Sequence, residues 1–96
     1  MKKLSFDAIE KQLLGYPDWE YRDDCLTTLF EFENFKDAFG AMTRIAFECE
    51  AHNHHPDWSN SYNKLSITLT THDAGGVTQK DLDLMVAIEQ IVEEEE

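Results

Sequence analysis

Apolar positions recur along this chain with two different periods, and the changes of period mark its elements. Near the N-terminus Ser5 is placed to cap a helix, Leu4 and Ile9 have the spacing of a hydrophobic staple, and Gly15 offers a left-handed stop. The pattern therefore predicts a short helix over residues 5–15. Tyr16-Pro17-Asp18 breaks it. Trp19 to Arg22 and Cys25 to Phe32 then read as two strands of a hairpin around Asp23-Asp24, the second with Leu26, Thr28, Phe30 and Phe32 alternating onto one face.

From Asn34, a helix cap, the period lengthens. Phe35, Ala38, Phe39, Met42, Ile45, Ala46 and Cys49 follow the i, i+3, i+4, i+7 spacing of one helical face, expected to be core. Glu50 lies about 60° from Phe35 on the helical wheel, at the edge of that stripe, so its carboxylate faces the seam between helix and sheet. Pro56 ends this helical stretch. Residues 57–61 and 64–71 read as a returning strand pair, with Leu65, Ile67, Leu69 and Thr71 on one face of the second. Asp73-Ala74-Gly75-Gly76 makes a turn, and Thr78 with Asp81 forms a capping-box start to a last helix. Leu84, Met85, Ile88, Ile91 and Val92 fill an arc of about 120° on that helix, with Leu82 and Val86 outside it. Two covered surfaces are expected there, one against the sheet and one against a partner chain. The element order predicts an α+β domain with helices on one face of an antiparallel sheet.

Composition narrows the classes. Ninety-six residues suit one domain, spanning 1–96, and the 42% hydrophobic content suffices for a core. A domain this small buries only about 60% of its unfolded surface, so association into an oligomer is expected to add stability. Twenty acidic against eight basic residues give a formal charge of -12, and the basic residues are scattered, which argues against direct nucleic-acid binding. No apolar run has the length of a membrane span and the N-terminus has no signal-peptide core, so a soluble, cytoplasmic protein is expected. Cys25 and Cys49 sit in apolar periodic segments and read as small hydrophobes without a catalytic role. Glu93 to Glu96 reads as a frayed, solvated helix end.

The candidate chemistry lies in the histidines. His52, His54 and His55 immediately precede Pro56, and His72 ends the strand that returns from it. A hairpin of 57–61 with 64–71 would bring His54 and His55 near His72. Four readings fit such a cluster. The imidazoles could simply be solvated at a helix end, or bind a metal with Asp57 adding an oxygen, although there is no H-E-x-x-H or C-x-x-C and adjacent ligands rarely share a tetrahedron. A nucleophilic triad would need a strained serine or cysteine turn, and no G-x-S-x-G is present. Metal-free acid and base catalysis needs only that protonated and neutral imidazole coexist near neutral pH.

The run from Glu50 to Lys64, EAHNHHPDWSNSYNK, followed by Thr70 to Thr78, TTHDAGGVT, and by Asp81, resembles the pterin-4a-carbinolamine dehydratase family. The segment Phe35 to Arg44 and the upstream Trp19 are similar too, so the resemblance covers nearly the whole chain. Asn53 stands where the family often has an acidic residue, Ser61 replaces a small aliphatic one, and the hairpin at 21–25 is short and lacks a glycine. The resemblance implies a four-stranded antiparallel sheet with helices on one face, and assembly into homodimers or homotetramers. It implies a small-molecule pterin substrate, 4a-hydroxytetrahydropterin, dehydrated to the quinonoid dihydropterin in recycling of a tetrahydropterin cofactor, with no cofactor or metal of the enzyme's own. It assigns catalysis to His54, His55 and His72, with His54 and His72 moving protons and His55 holding the pterin. Glu50 would hydrogen-bond a ring nitrogen or an imidazole, Asp81 would fix the turn carrying His72, and Trp19 or Trp58 would stack on the pterin. His52 is expected to be a solvated bystander. The rival implications are a protein-interaction role, as dimerisation cofactor of a homeodomain transcription factor, and dehydration of another pterin, such as one of molybdopterin metabolism.

Overall fold

The computed structural model describes residues 1–95, and its first two helices each start where a side chain satisfies a free backbone N–H. Ser5 accepts a hydrogen bond from the Ala8 N–H at the start of α1, Phe6–Leu13, and Asn34 accepts from the Asp37 N–H at 2.8 Å at the start of α2, Phe35–His52. Gly15, expected as a left-handed stop, is not one. The helix ends in tight turns from Gly15 N–H to Gln12 O and Tyr16 N–H to Leu13 O, which need no positive φ.

Strands β1, Glu20–Arg22, and β2, Cys25–Glu31, form the expected hairpin. Asp23 and Asp24 both take left-handed φ, 53° and 61°, so two aspartates make the tight turn without glycine. A second hairpin joins β3, Asp57–Ser61, to β4, Lys64–Leu69. Because β4 also pairs with β2, the sheet is four-stranded and antiparallel throughout, in the order β1-β2-β4-β3. β3 is one outer edge and β1 the other.

The two-residue alternation sorts the sheet into a covered and an open face. Leu26, Thr28, Phe30 and Phe32 from the β2 segment, with Leu65, Ile67 and Leu69 from β4, are buried, while Leu29, Ser59 and Ser66 face solvent. Against the buried face pack α2 and α3, Gln79–Glu95, through Ala38, Ala41, Ile45 and Cys49 and through Leu84, Met85, Ile88, Ile91 and Val92. Fully burying each of the larger of these side chains contributes roughly 1.5–3 kcal/mol before entropy.

Two expected stripes are corrected. On α2 the buried line runs through Ala38, Ala41, Ile45 and Cys49, and Phe35, Phe39 and Ala46 are exposed, with Met42 half-buried. Small residues let α2 approach the sheet closely, so its contact line is turned away from the large rings. On α3, Leu82 is buried within this chain, in the core cluster that Leu4 and Leu13 also join, so it does not stand free for a partner; Val86 is half-buried. The acidic tail continues α3, with Glu93 and Glu94 exposed, and Glu96 lies outside the described residues. Among the described residues no helix is long and apolar enough to cross a membrane.

Candidate active site

Helix α2 ends in a backbone device that aims the histidines. Asn53 adopts left-handed φ, 52°, its N–H donating to Glu50 O, while the next N–H, that of His54, reaches back to Cys49 O at 3.0 Å. This 6→1 and 5→2 pair is a Schellman motif, with asparagine in the place glycine usually takes. It reverses the chain within one residue and turns His54 under the helix rather than into solvent.

The His54 side chain is 11% exposed, and its Nε2 lies 2.5 Å from Oδ1 of Asp81. Asp81 is fully buried in the first turn of α3, and its other oxygen, Oδ2, accepts from the Thr78 N–H and from the Thr71 hydroxyl, each at 2.8 Å. A buried carboxylate is costly unless its lone pairs are used, and here three polar partners engage it. Asp81 therefore joins three segments, the end of α2, the strand end before His72 and the start of α3.

His72 opens a 3₁₀ turn, His72–Ala74, that is closed by the bridge between Thr71 and Gly76. Gly75 has φ 77°, a conformation that a side chain would strain. His72 Nε2 is 4.0 Å from Oδ2 of Asp57, the first residue of β3, and both groups are exposed. His55 Nε2 lies 2.6 Å from Oε2 of Glu50, also in the open. Each imidazole of the expected trio is thus matched with its own carboxylate, His54 with Asp81, His55 with Glu50 and His72 with Asp57, at the end of the sheet where β3 begins and β4 finishes. Glu50, its carboxylate expected in the seam between α2 and the sheet, lies in the open instead, its side chain 76% exposed, because the buried line of α2 is rotated onto Ala38, Ala41, Ile45 and Cys49; there it is positioned to orient the His55 ring. His52 lies one turn back, 3.6 Å from Glu48 along the helix, apart from these pairs.

The other expected contacts divide. Trp58 faces the core side of the sheet opposite Ile67, half-buried, two residues after Pro56. Trp19 lies before β1, at the far edge of the sheet from β3; it is buried, packed edge-on against Phe30, and its indole N–H is taken by Glu89. It has no face open to a flat ligand. Asp81, expected to contact substrate or fix the turn, fixes the turn and also holds His54, and its burial leaves no oxygen for a ligand. Asp57 enters the site as the partner of His72, a role hidden in the sequence because it depends on the turn after β4. Thr71 and Thr78 enter as donors to Asp81, for which the Thr78-x-x-Asp81 spacing was the available signal.

Cys49, the nearest thiol in sequence, is buried, which pushes its pKa up to about 11, so it is an inert packing residue. Among the described residues no group of three or more histidine, cysteine, aspartate or glutamate side chains is gathered as a metal site.

Fold and site together define an α+β domain that presents imidazole–carboxylate pairs at one end of an antiparallel sheet, an arrangement suited to moving protons. The comparisons with known proteins are specific. Residues 2–91 match the family model described as pterin 4 alpha carbinolamine dehydratase. Two relatives carry the name "Putative pterin-4-alpha-carbinolamine dehydratase": one from Christiangramia forsetii is 55% identical over 97% of this chain and 96% of its own, and one from Rhodospirillum rubrum is 49% identical over 94% and 96%. The crystal structure of a transcriptional coactivator/pterin dehydratase from Brucella melitensis superposes with a TM-score of 0.91 at 32% identity, covering 95% of this chain and 99% of that one. The chain belongs to the pterin 4 alpha carbinolamine dehydratase family, a family of hydro-lyases.

Proposed function

We propose that the protein dehydrates a 4a-hydroxytetrahydropterin to the quinonoid dihydropterin by general acid and base catalysis at His54, His55 and His72, in the recycling of a tetrahydropterin cofactor. In the substrate, the hydroxyl on C4a leaves only as water, so it must gain a proton. N5 must lose one as its electron pair forms the C4a=N5 double bond. One imidazolium and one neutral imidazole supply both transfers without net proton change, and each is worth about 10²–10⁴ in rate when well placed.

The observation that carries this reading is the pairing of each imidazole with a carboxylate at one end of the sheet, with His54 largely buried on Asp81. A carboxylate fixes ring orientation and stabilises the imidazolium that forms during transfer. His54 and His72 take the two proton-transfer roles. His55, with Glu50, holds the ring, and Trp58 offers the apolar surface for a flat pterin.

We further infer a homodimer or homotetramer. The support comes from α2, where Phe35 and Phe39 meet with tilted rings at 5.6 Å between centroids yet remain 47% and 54% exposed beside half-buried Met42. An apolar stripe of this kind on a small domain is a natural contact between copies.

The test is turnover. A 4a-hydroxytetrahydropterin, formed in the cuvette by an aromatic amino acid hydroxylase with limiting tetrahydropterin, should lose water faster on adding the protein, read as the quinonoid product absorbance. An unchanged rate at micromolar protein would sink the dehydratase reading.

A further inference from the structure

We propose that Asp81 is a positioning residue that holds His54 as the Nε2–H tautomer, so that Nδ1 is the nitrogen through which His54 exchanges its proton. This rests on the dehydratase reading for the second half of the statement only. The first half is a property of the resting protein.

The backbone N–H of Thr78 can only donate, and it donates to Asp81 Oδ2 at 2.8 Å. The Thr71 hydroxyl lies at the same oxygen, also at 2.8 Å, and at 2.8 Å from the Thr78 hydroxyl, which in turn accepts from the Lys80 N–H. These groups form a single one-way chain: Lys80 N–H to Thr78 Oγ1, Thr78 hydroxyl to Thr71 Oγ1, Thr71 hydroxyl to Asp81. Oδ2 is thereby committed as an acceptor from two directions. Oδ1 is left facing one partner, Nε2 of His54 at 2.5 Å. An ionised carboxylate accepts only, so Nε2 carries the hydrogen and Nδ1 carries the lone pair.

The chain also explains why this aspartate is not a mere helix cap. Residues Thr71 and Thr78 bracket the loop that bears His72, so the carboxylate that sets the His54 tautomer also pins the two ends of the His72 loop. One buried group registers two of the proposed proton carriers against each other.

The geometry makes Asp81→Asn a pointed probe. Thr78 N–H still demands an oxygen, which keeps the amide oxygen on the Thr78 side and swings the amide NH₂ toward His54. Nε2 must then accept, and the proton moves to Nδ1. The isosteric change thus inverts the tautomer.

The experiment records two-bond ¹⁵N–¹H correlations of His54, in mildly alkaline solution where an ordinary imidazole is neutral, for the parent, Asp81→Asn and Thr71→Val. Turnover is measured on the same samples. The parent should show Nε2–H, Thr71→Val should keep it because the carboxylate remains, and Asp81→Asn should show Nδ1–H with a turnover number lower by about 10²–10⁴ and a KM changed far less. An Nδ1–H parent would overturn the proposal. So would a folded Asp81→Asn variant that keeps Nε2–H, or one with inverted tautomer and parental turnover. If Asp81→Asn does not fold, the parent and Thr71→Val spectra decide. A parent that shows Nε2–H but turns over no carbinolamine overturns the dehydratase reading and leaves the tautomer assignment standing.

Discussion

The indole N–H of Trp19 donates to Oε1 of Glu89 at 2.9 Å, across 70 residues of sequence, and clamps the start of β1 to the middle of α3. Glu89 is only 7% exposed. Burial pushes its pKa above the ordinary glutamate value, with negative Asp18 and Glu93 adding to the rise and the Trp19 hydrogen bond opposing it.

A raised carboxyl pKa means that the folded state binds this proton more tightly than the unfolded chain does. The associated stability is fully present below the unfolded value and is lost as pH rises through the folded one. Glu89→Gln keeps an oxygen for Trp19 and removes the charge. Its stability advantage over the parent should therefore grow as pH rises from about 4.5, the ordinary glutamate value, and then level off, measured as the difference between paired denaturant titrations. A difference that does not change with pH would contradict the assignment. Trp19→Phe should instead destabilise by about 1–3 kcal/mol, because it strands a buried acceptor.

Single replacements of His54, His55 and His72 by alanine should leave circular dichroism native, with turnover falling by about 10²–10⁴ for the residues that move protons. Double replacements should cost less than the product of the singles if the imidazoles act as a unit. His52→Ala, one helical turn away on Glu48, should turn over at close to the parent rate. Parental rates in both His54→Ala and His72→Ala would remove the mechanism.

The exposed ring pair of α2 predicts an assembly defect. The parent should sediment as a dimer or tetramer at micromolar concentration, and Phe39→Asp should shift it toward smaller species, since charge in an apolar contact is costly. A monomeric parent would rule out the oligomer.

Acid and base chemistry by imidazoles requires no metal, so turnover should be unchanged after dialysis against a strong chelator. Loss of activity that stoichiometric zinc restores would transfer the chemistry to a metal centre.

Much of the fold was legible because it is local. Ser5 and Asn34 as caps, the β2 face of Leu26, Thr28, Phe30 and Phe32, and the β4 face of Leu65, Ile67 and Leu69 each follow from a period or a cap within a few residues. The approach of His54 to the strand end before His72, through Asp81 and Thr71, was legible for the same reason, since a hairpin with a short turn fixes where its ends return. What the chain could not disclose were choices between equally apolar surfaces and between partners distant in sequence.

The α2 stripe shows the first kind. Periodicity marks Phe35 and Phe39 as well as Ala38 and Ile45, and only the packed sheet decides that the small residues form the contact while the rings stay outside. Leu82 shows the converse, looking free on its own helix until the core that includes Leu4 and Leu13 closes over it. Trp19 and Asp81 show the second kind. A tryptophan before a strand can stack on a ligand or fill a core, and the Glu89 carboxylate that settles it lies 70 positions away. An aspartate three residues after a threonine can be read as a cap, but the imidazole on its other oxygen lies 27 positions upstream. The sequence by itself determined the elements and the covered face of the sheet, because these depend on local dihedrals and hydrophobic periods. The tertiary structure alone decided which carboxylate serves which imidazole, because a buried hydrogen bond is specified by how separate elements pack and not by any spacing along the chain.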